Sequence, residues 1–263
     1  MKIFNLGAAV EKRALFVCPK FIQAVRGEKG LRKKGVTQMK QMVKNYTLFI
    51  LGLFIASLGV AFSTKAGLGT SPVSAIPYSI SIMNHTLTFG WWLNVCSVVQ
   101  IAIQVLLLRS KCKPVEIIIQ TVLAFVYGYL TDFSCALISG LTVTTYPVQF
   151  LLMALSCFIL GFGIWIQFKG GVAMLPGEAM NRAIGMVTGK RYENVKIFFD
   201  VLYIVISAVL CFAVLGQLSG VREGSLIAAF AVGNIIKLYQ FFFQKITHQQ
   251  PQKAIQSVQQ NVL

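Results

Sequence analysis

Acidic side chains are scarce in this chain, with 8 Asp and Glu against 24 Lys and Arg in 263 residues. Charged residues of both signs reach only 12%, about half the roughly 25% of an ordinary soluble domain. That shortage excludes a water-facing surface for most of the chain. Paired cysteine spacing is missing too. Cys18, Cys96, Cys112, Cys135, Cys157 and Cys211 form no C-x-x-C, and four of them lie in apolar runs, where Cys acts as a small buried hydrophobe. Neither a disulfide framework nor a zinc site is supported. H-E-x-x-H, G-x-S-x-G and P-loop signatures are absent, and Gly67-Leu68-Gly69 lacks the third glycine and the preceding strand of a dinucleotide fingerprint. His85 and His248 are isolated. The expectation is no enzyme, no cofactor and no bound metal.

Apolar sequence is abundant, at 56% of residues. Six runs approach or reach the 17 to 25 residues that cross a bilayer, at about 47 to 65, 91 to 108, 115 to 138, 148 to 168, 196 to 217 and 224 to 243. None alternates polar with apolar as a barrel strand would, and backbone groups in lipid must be satisfied within the segment. The expected fold is an all-α membrane protein with six transmembrane helices.

The net charge of +16 is unevenly spread, since residues 1 to 46 hold eleven of the 24 basic side chains, including Arg32, Lys33 and Lys34. Basic residues beside a first membrane helix mark the cytoplasmic side and the anionic leaflet. No nucleic-acid reader motif accompanies them, so nucleic acid is not an expected partner. Three readings of this basic leader stand open. It is a surface helix carrying Ile3, Phe4, Leu6, Leu15, Phe16, Val17, Phe21 and Ile22, or a disordered tail, or sequence upstream of a true start at Met39 or Met42. The last two are favoured, because it carries no part of the internal repeat described next.

Shifted by 104 residues, the chain partly matches itself: Phe54, Ile55, Gly59, Lys65, Gly67, Pro72 and Ala75 correspond to Phe158, Ile159, Gly163, Lys169, Gly171, Pro176 and Ala179. At an offset of 105, Ala124, Phe125 and Gly128 meet Ala229, Phe230 and Gly233. The organisation expected is a leader at 1 to 46, a first three-helix repeat at 47 to 140, a second at 147 to 245, and a polar cytoplasmic tail at 246 to 263. Loop charge then sets orientation. Arg109, Lys111 and Lys113 mark one loop as cytoplasmic, as do Arg182, Lys190, Arg191 and Lys196 after the fourth run and Lys245 at the end, whereas Ser139 to Pro147 is uncharged. Three helices per copy is an odd number, so the second copy is inverted. Both termini are expected in the cytoplasm.

Each copy contains a break rich in glycine and proline, Lys65 to Pro72 and Lys169 to Pro176, followed by a short helix that is a candidate for re-entry into the membrane. Ser71 reads as an N-cap and Pro72 as the first helical residue, where a missing N–H costs nothing. Pro176 repeats that position, with Glu178 in the first turn. Helix starts of this kind, with Lys65, Gly67, Gly69, Ser71, Pro72, Lys169, Gly171, Pro176 and Glu178, are the expected ligand-binding residues. Asp200, inside the fifth run, and Glu178 are the candidates for ion or proton coupling. Blander readings stand beside these: ordinary turns, lysines snorkelling to headgroups, a Glu178–Arg182 pair at i,i+4, and an Asp200–Lys196 pair. Asn94, Gln100 and Gln104 read mainly as interhelical hydrogen-bonding groups, and Arg222 with Glu223 as a helix cap.

With Lys65 to Pro72, Lys169 to Glu178, Val195-Lys196-Ile197 to Asp200 and Val221-Arg222-Glu223-Gly224 in view, the chain resembles the bacterial YczE/YyaS/YitT group of multi-pass inner membrane proteins over about residues 45 to 243. The resemblance implies a bacterial plasma-membrane protein and names no substrate. Broken, duplicated membrane units are an architecture of secondary transporters. The expected function is a secondary transporter or permease for a small polar or anionic solute. The alternative is a non-transporting membrane regulator or a binding subunit of a larger transport complex. Expected partners are the lipid bilayer, the solute, and a second copy or another membrane protein.

Overall fold

A computed structural model of the protein describes residues 18–109, 114–216, 220 and 222–247, with side chains from Met39 onward apart from those at 193, 237, 240 and 243–247. Among the described residues eight helices follow in order: α1 Cys18–Ala66, α2 Pro72–Met83, α3 Phe89–Leu108, α4 Pro114–Leu137, α5 Tyr146–Gly170, α6 Pro176–Thr188, α7 Tyr192–Leu215 and α8 Glu223–Thr247. No strand occurs among the described residues. The chain divides between Tyr46 and Thr47 into two units. In the first, Cys18 to Tyr46 is helical. Ile3, Phe4, Leu6, Leu15, Phe16 and Val17 lie outside the described residues, as do Lys111, Lys113, His248 and the carboxyl-terminal tail.

Among the described residues five segments are long and apolar enough to cross a membrane: Met39–Ala66, Phe89–Leu108, Pro114–Leu137, Tyr146–Gly170 and Asn194–Leu215. The predicted sixth crossing coincides with α8, whose apolar stretch Glu223–Ile236 is shorter. Exposure is inverted relative to a soluble protein. Leu106, Phe230, Leu151 and Phe212 on the outside are each about two-thirds exposed or more, whereas Ser57, Ser63, Asn94, Gln100, Thr131 and Ser207 are buried within. An apolar exterior of this extent has no stable place in water, and lipid gives no drive to bury it. The protein is an integral membrane protein.

Small residues set the central helix crossing. A Cβ on Gly59 would stand 2.6 Å from the Leu160 backbone nitrogen, one on Gly52 would stand 2.8 Å from that of Gln167, and one on Gly163 would collide with Ala56. Going from position 52 to 59 on α1, the partner on α5 falls from 167 to 160, so the helices run antiparallel. The backbones approach this closely only because side chains are absent there, the usual device of membrane helices that lack a hydrophobic drive to associate.

The two breaks lead inward from this crossing. Gly171, at φ 57°, ends α5 in the left-handed region that glycine tolerates. Pro72 and Pro176 each open a short helix at its first position, and Ser71 and Leu175 are the capping residues. Ser71 makes no capping hydrogen bond to the backbone; its Oγ instead donates to Ser74 Oγ at 3.0 Å. Tyr78 Oη donates to Thr64 O at 3.3 Å, so mid-α2 lies level with the end of α1. Pro72, six residues earlier, is itself buried. The chain leaves α1, turns back along it and starts α2 in the interior.

Candidate functional site

Both helix starts open on one cavity of about 300 Å³, lined by Ser71 to Ser74 of the first break and by Leu175 to Glu178 of the second. A Cβ on Gly177 would touch Val73 Cγ1 at 3.5 Å and Gln100 Oε1 at 3.4 Å. The two N-termini thus nearly meet, head to head, with an amide side chain beside them. Each carries partial positive charge from its unpaired first-turn N–H groups. Walls come from the crossing and the long helices, including Ala56, Leu93, Tyr127, Leu160 and Val232, and the lining extends to Phe168, Tyr192 and Lys196 at the α5–α7 end.

Polar groups converge here. Gln100, Gln167 and Asn181 line the cavity while more than nine-tenths buried. Gln100 Nε2 donates to Tyr203 Oη at 3.2 Å. Gln167 Nε2, Asn181 Oδ1 and Asp200 Oδ1 are buried with no hydrogen-bond partner within the protein. Unmade hydrogen bonds at buried groups are costly, so a cluster of three in one cavity marks a place where an occupant gains energy. Lys196 Nζ lies 3.4 Å from Asp200 Oδ2, the pairing expected at i−4. Glu178 also faces the cavity.

Of the residues predicted for the site, Ser71, Pro72, Pro176, Glu178 and Asp200 line it. The remainder lie elsewhere. Lys65 Nζ donates to the Ser139 carbonyl at 3.0 Å, and Lys169 Nζ sits 4.5 Å over the Trp165 ring. Both lysines belong to the last turns of their helices, which is where the snorkelling reading put them. Gly67 and Gly69 (φ +69° and +106°) and Gly171 shape the breaks. Arg182 Nη1 reaches Met174 Sδ at 3.8 Å.

Sequence reasoning ranked Gln100 as a bonding group and overlooked Gln167 and Ser74. Gln167 sits two residues before the more conspicuous Lys169, although a glutamine inside an apolar run is itself a signal. Asp132 has a structural role: it accepts from Thr88 Oγ1 at 2.6 Å and from Gly90 N at 2.7 Å, tying the end of α4 to the start of α3.

Comparison with known proteins fits this frame. The model of a family described as "Family of unknown function (DUF6198)" matches residues 43–241. The chain belongs to this family. The match to DUF6198 takes in every residue that lines the cavity, from Ala56 to Ile236, and excludes most of the basic leader. "Uncharacterized protein YyaS" of Bacillus subtilis (strain 168) is 29% identical over 136 residues, covering 50% of this chain and 63% of the relative. The match thus spans less than two thirds of that protein. This similarity agrees with the YczE/YyaS/YitT resemblance. No solved structure matches.

Proposed function

We propose that the protein is a secondary transporter for a small polar solute, built from two inverted three-helix repeats and working by alternating access through the central cavity. The observation that carries this reading is the meeting of both short-helix starts, one from each half, at a single, largely apolar cavity into which a few buried polar side chains project. Broken helices whose N-termini converge on a midplane site between repeats are a transporter arrangement.

Helix contacts support the inverted repeat. Exchanging the halves turns α1, α2, α3 and α4 into α5, α6, α7 and α8. The neighbours follow: α2 packs on α7 and α6 on α3, α2 on α3 and α6 on α7, α2 on α8 and α6 on α4. At the crossing, Gly59 opposes Leu160 and Gly163 opposes Ala56, which are the same pair read in the two directions, because Ala56 and Leu160 are themselves 104 apart. Equivalent helices that run antiparallel are what inversion requires. In this reading α8 completes the sixth crossing, both termini are cytoplasmic in a bacterial plasma membrane, and the second break faces inward. Lys65 and Lys169 anchor the ends of α1 and α5 at opposite interfaces. The cavity residues bind solute and do no covalent chemistry.

The test is uptake by proteoliposomes of labelled small polar solutes, comprising amino acids, sugars, organic acids and amines, for wild type and for Gln167→Leu. Saturable uptake by wild type that falls at least about tenfold in the variant is expected, the size of one lost hydrogen bond to a charged group. Absence of uptake for every solute, together with stable co-purification of another membrane protein, would replace this reading by that of a regulator or binding subunit.

A further inference from the structure

We propose that the cavity binds a small zwitterion of the α-amino-acid type, its carboxylate at the abutting starts of α2 and α6 and its ammonium among Glu178, Asp200 and Asn181. The inference rests on the transporter reading only for what becomes of the bound solute. It deepens that reading by assigning a substrate class.

Charge of both signs is built into the walls, and it is not balanced within them. The ionisable residues lining the cavity are Glu178, Asp200 and Lys196, with Tyr127 and Tyr192. Lys196 engages Asp200 through Oδ2, which leaves Asp200 Oδ1 buried and unpartnered and a second acidic side chain, Glu178, on the same wall with one lysine between the two acids. A simple anion would have to sit beside two carboxylates. A simple cation would have to sit before two helix N-termini. Both costs vanish for a solute carrying the two signs a few ångströms apart.

Hydrogen-bonding capacity divides the same way. Ser74 N bonds Ser71 O and Ala179 N bonds Leu175 O, so the first-turn amides before them, Val73, Gly177 and Glu178, lack intrahelical acceptors. These donors, with the unpartnered Gln167 Nε2, suit a carboxylate. Asn181 Oδ1 and Asp200 Oδ1 are unpartnered acceptors and, with Glu178, suit the three N–H groups of an ammonium. At about 300 Å³ the cavity stands at the low end of the roughly 300 to 1,000 Å³ of small-molecule sites. It takes one small solute and excludes a folded peptide.

The experiment is equilibrium binding to the detergent-purified full chain, by calorimetry and thermal unfolding. The probes are glycine, alanine, serine and proline, with propionate and ethylamine as the two halves of alanine. At least one zwitterion should bind, and both half-molecules should bind about tenfold or more weakly. Glu178→Gln, monodisperse by size exclusion, should weaken the zwitterion about tenfold, the worth of one charge-assisted hydrogen bond. Asp200→Asn should do the same if Glu178→Gln fails to fold. Propionate or ethylamine binding as tightly as every zwitterion, or no binding by any of the four, overturns the assignment. Uptake of a different solute by the same preparation would then leave the transporter reading intact. Zwitterion binding without uptake would do the reverse.

Discussion

The two breaks share a lysine, a glycine and a proline at equivalent positions, Lys65/Lys169, Gly67/Gly171 and Pro72/Pro176, and differ in how they are held. The first is enclosed: Leu68 and Thr70 are fully buried, Thr70 N donates to Ser225 Oγ at 3.1 Å, and Gly224 packs against Leu68. Arg222, paired with Glu223 at 3.3 Å, closes over the Gly67 carbonyl. The second break is partly exposed from Val172 to Leu175 and leans on the apolar side chains Phe49, Leu53 and Leu123. Segments that align at the offset of 104 therefore occupy unequal environments. The first break is enclosed, the second is partly exposed, and both contribute to the cavity lining.

Destroying the crossing that relates the halves should have the largest effect. Gly163→Leu sets a side chain into the Ala56 backbone, where overpacking costs about 3 kcal/mol, and Gly59→Leu does the same from the other helix. Fluorescence-detected size exclusion of both variants should show loss of the monodisperse protein. A monodisperse Gly163→Leu with unchanged thermal stability would contradict the close crossing.

A smaller difference separates the break glycines. Gly69 has φ +106°, and a Cβ there would strike Ser225 Oγ, so Gly69→Ala should cost about 2 kcal/mol or more; Gly171, at φ +57°, lies in the ordinary left-handed well and should cost about 1 kcal/mol. Thermal unfolding of the two variants side by side checks the order. Equal losses would mean that the two breaks are equally confined.

Accessibility probes the same contrast. In a background with the native cysteines replaced, Ala173→Cys should react with a polar maleimide at least about tenfold faster than Thr70→Cys, an opening cost of about 1.4 kcal/mol at the first break. Adding Ser225→Ala should narrow the gap, because Thr70 N loses its acceptor. The smallest effect is expected for Lys196→Met, whose ion pair with Asp200 is about one-third exposed on the lysine side and contributes under about 1 kcal/mol in stability. A double-mutant cycle with Asp200→Asn measures it.

Much of this architecture was legible along the chain. Apolar runs announce spans because crossing lipid demands length and composition, both local properties. The proline starts of α2 and α6 were readable for a similar reason: position one of a helix tolerates a missing N–H wherever the helix lies. Asp200 and Lys196, four apart, announced their own pair. The site was only half legible. Lys65 and Lys169 were assigned to it from their charge and repeated position, yet their side chains reach Ser139 O and Trp165, because a long aliphatic stem at a helix end follows the local surface rather than the break beside it. Gln167 and Asn181 looked ordinary because nothing in a sequence states which way a polar side chain on a helix faces.

By itself, then, the sequence determined an all-helical membrane protein, a set of residue matches at an offset of 104 and the two proline-headed short helices, all consequences of local composition and spacing. Only tertiary structure decided that the two helix starts line one cavity, that Gln167 and Asn181 are among its walls, and that one break is enclosed while its twin is partly exposed. Those features depend on contacts between residues more than a hundred positions apart, such as Thr70 with Ser225 and Gly59 with Leu160. A repeat tells which residues are equivalent; packing tells which of them meet.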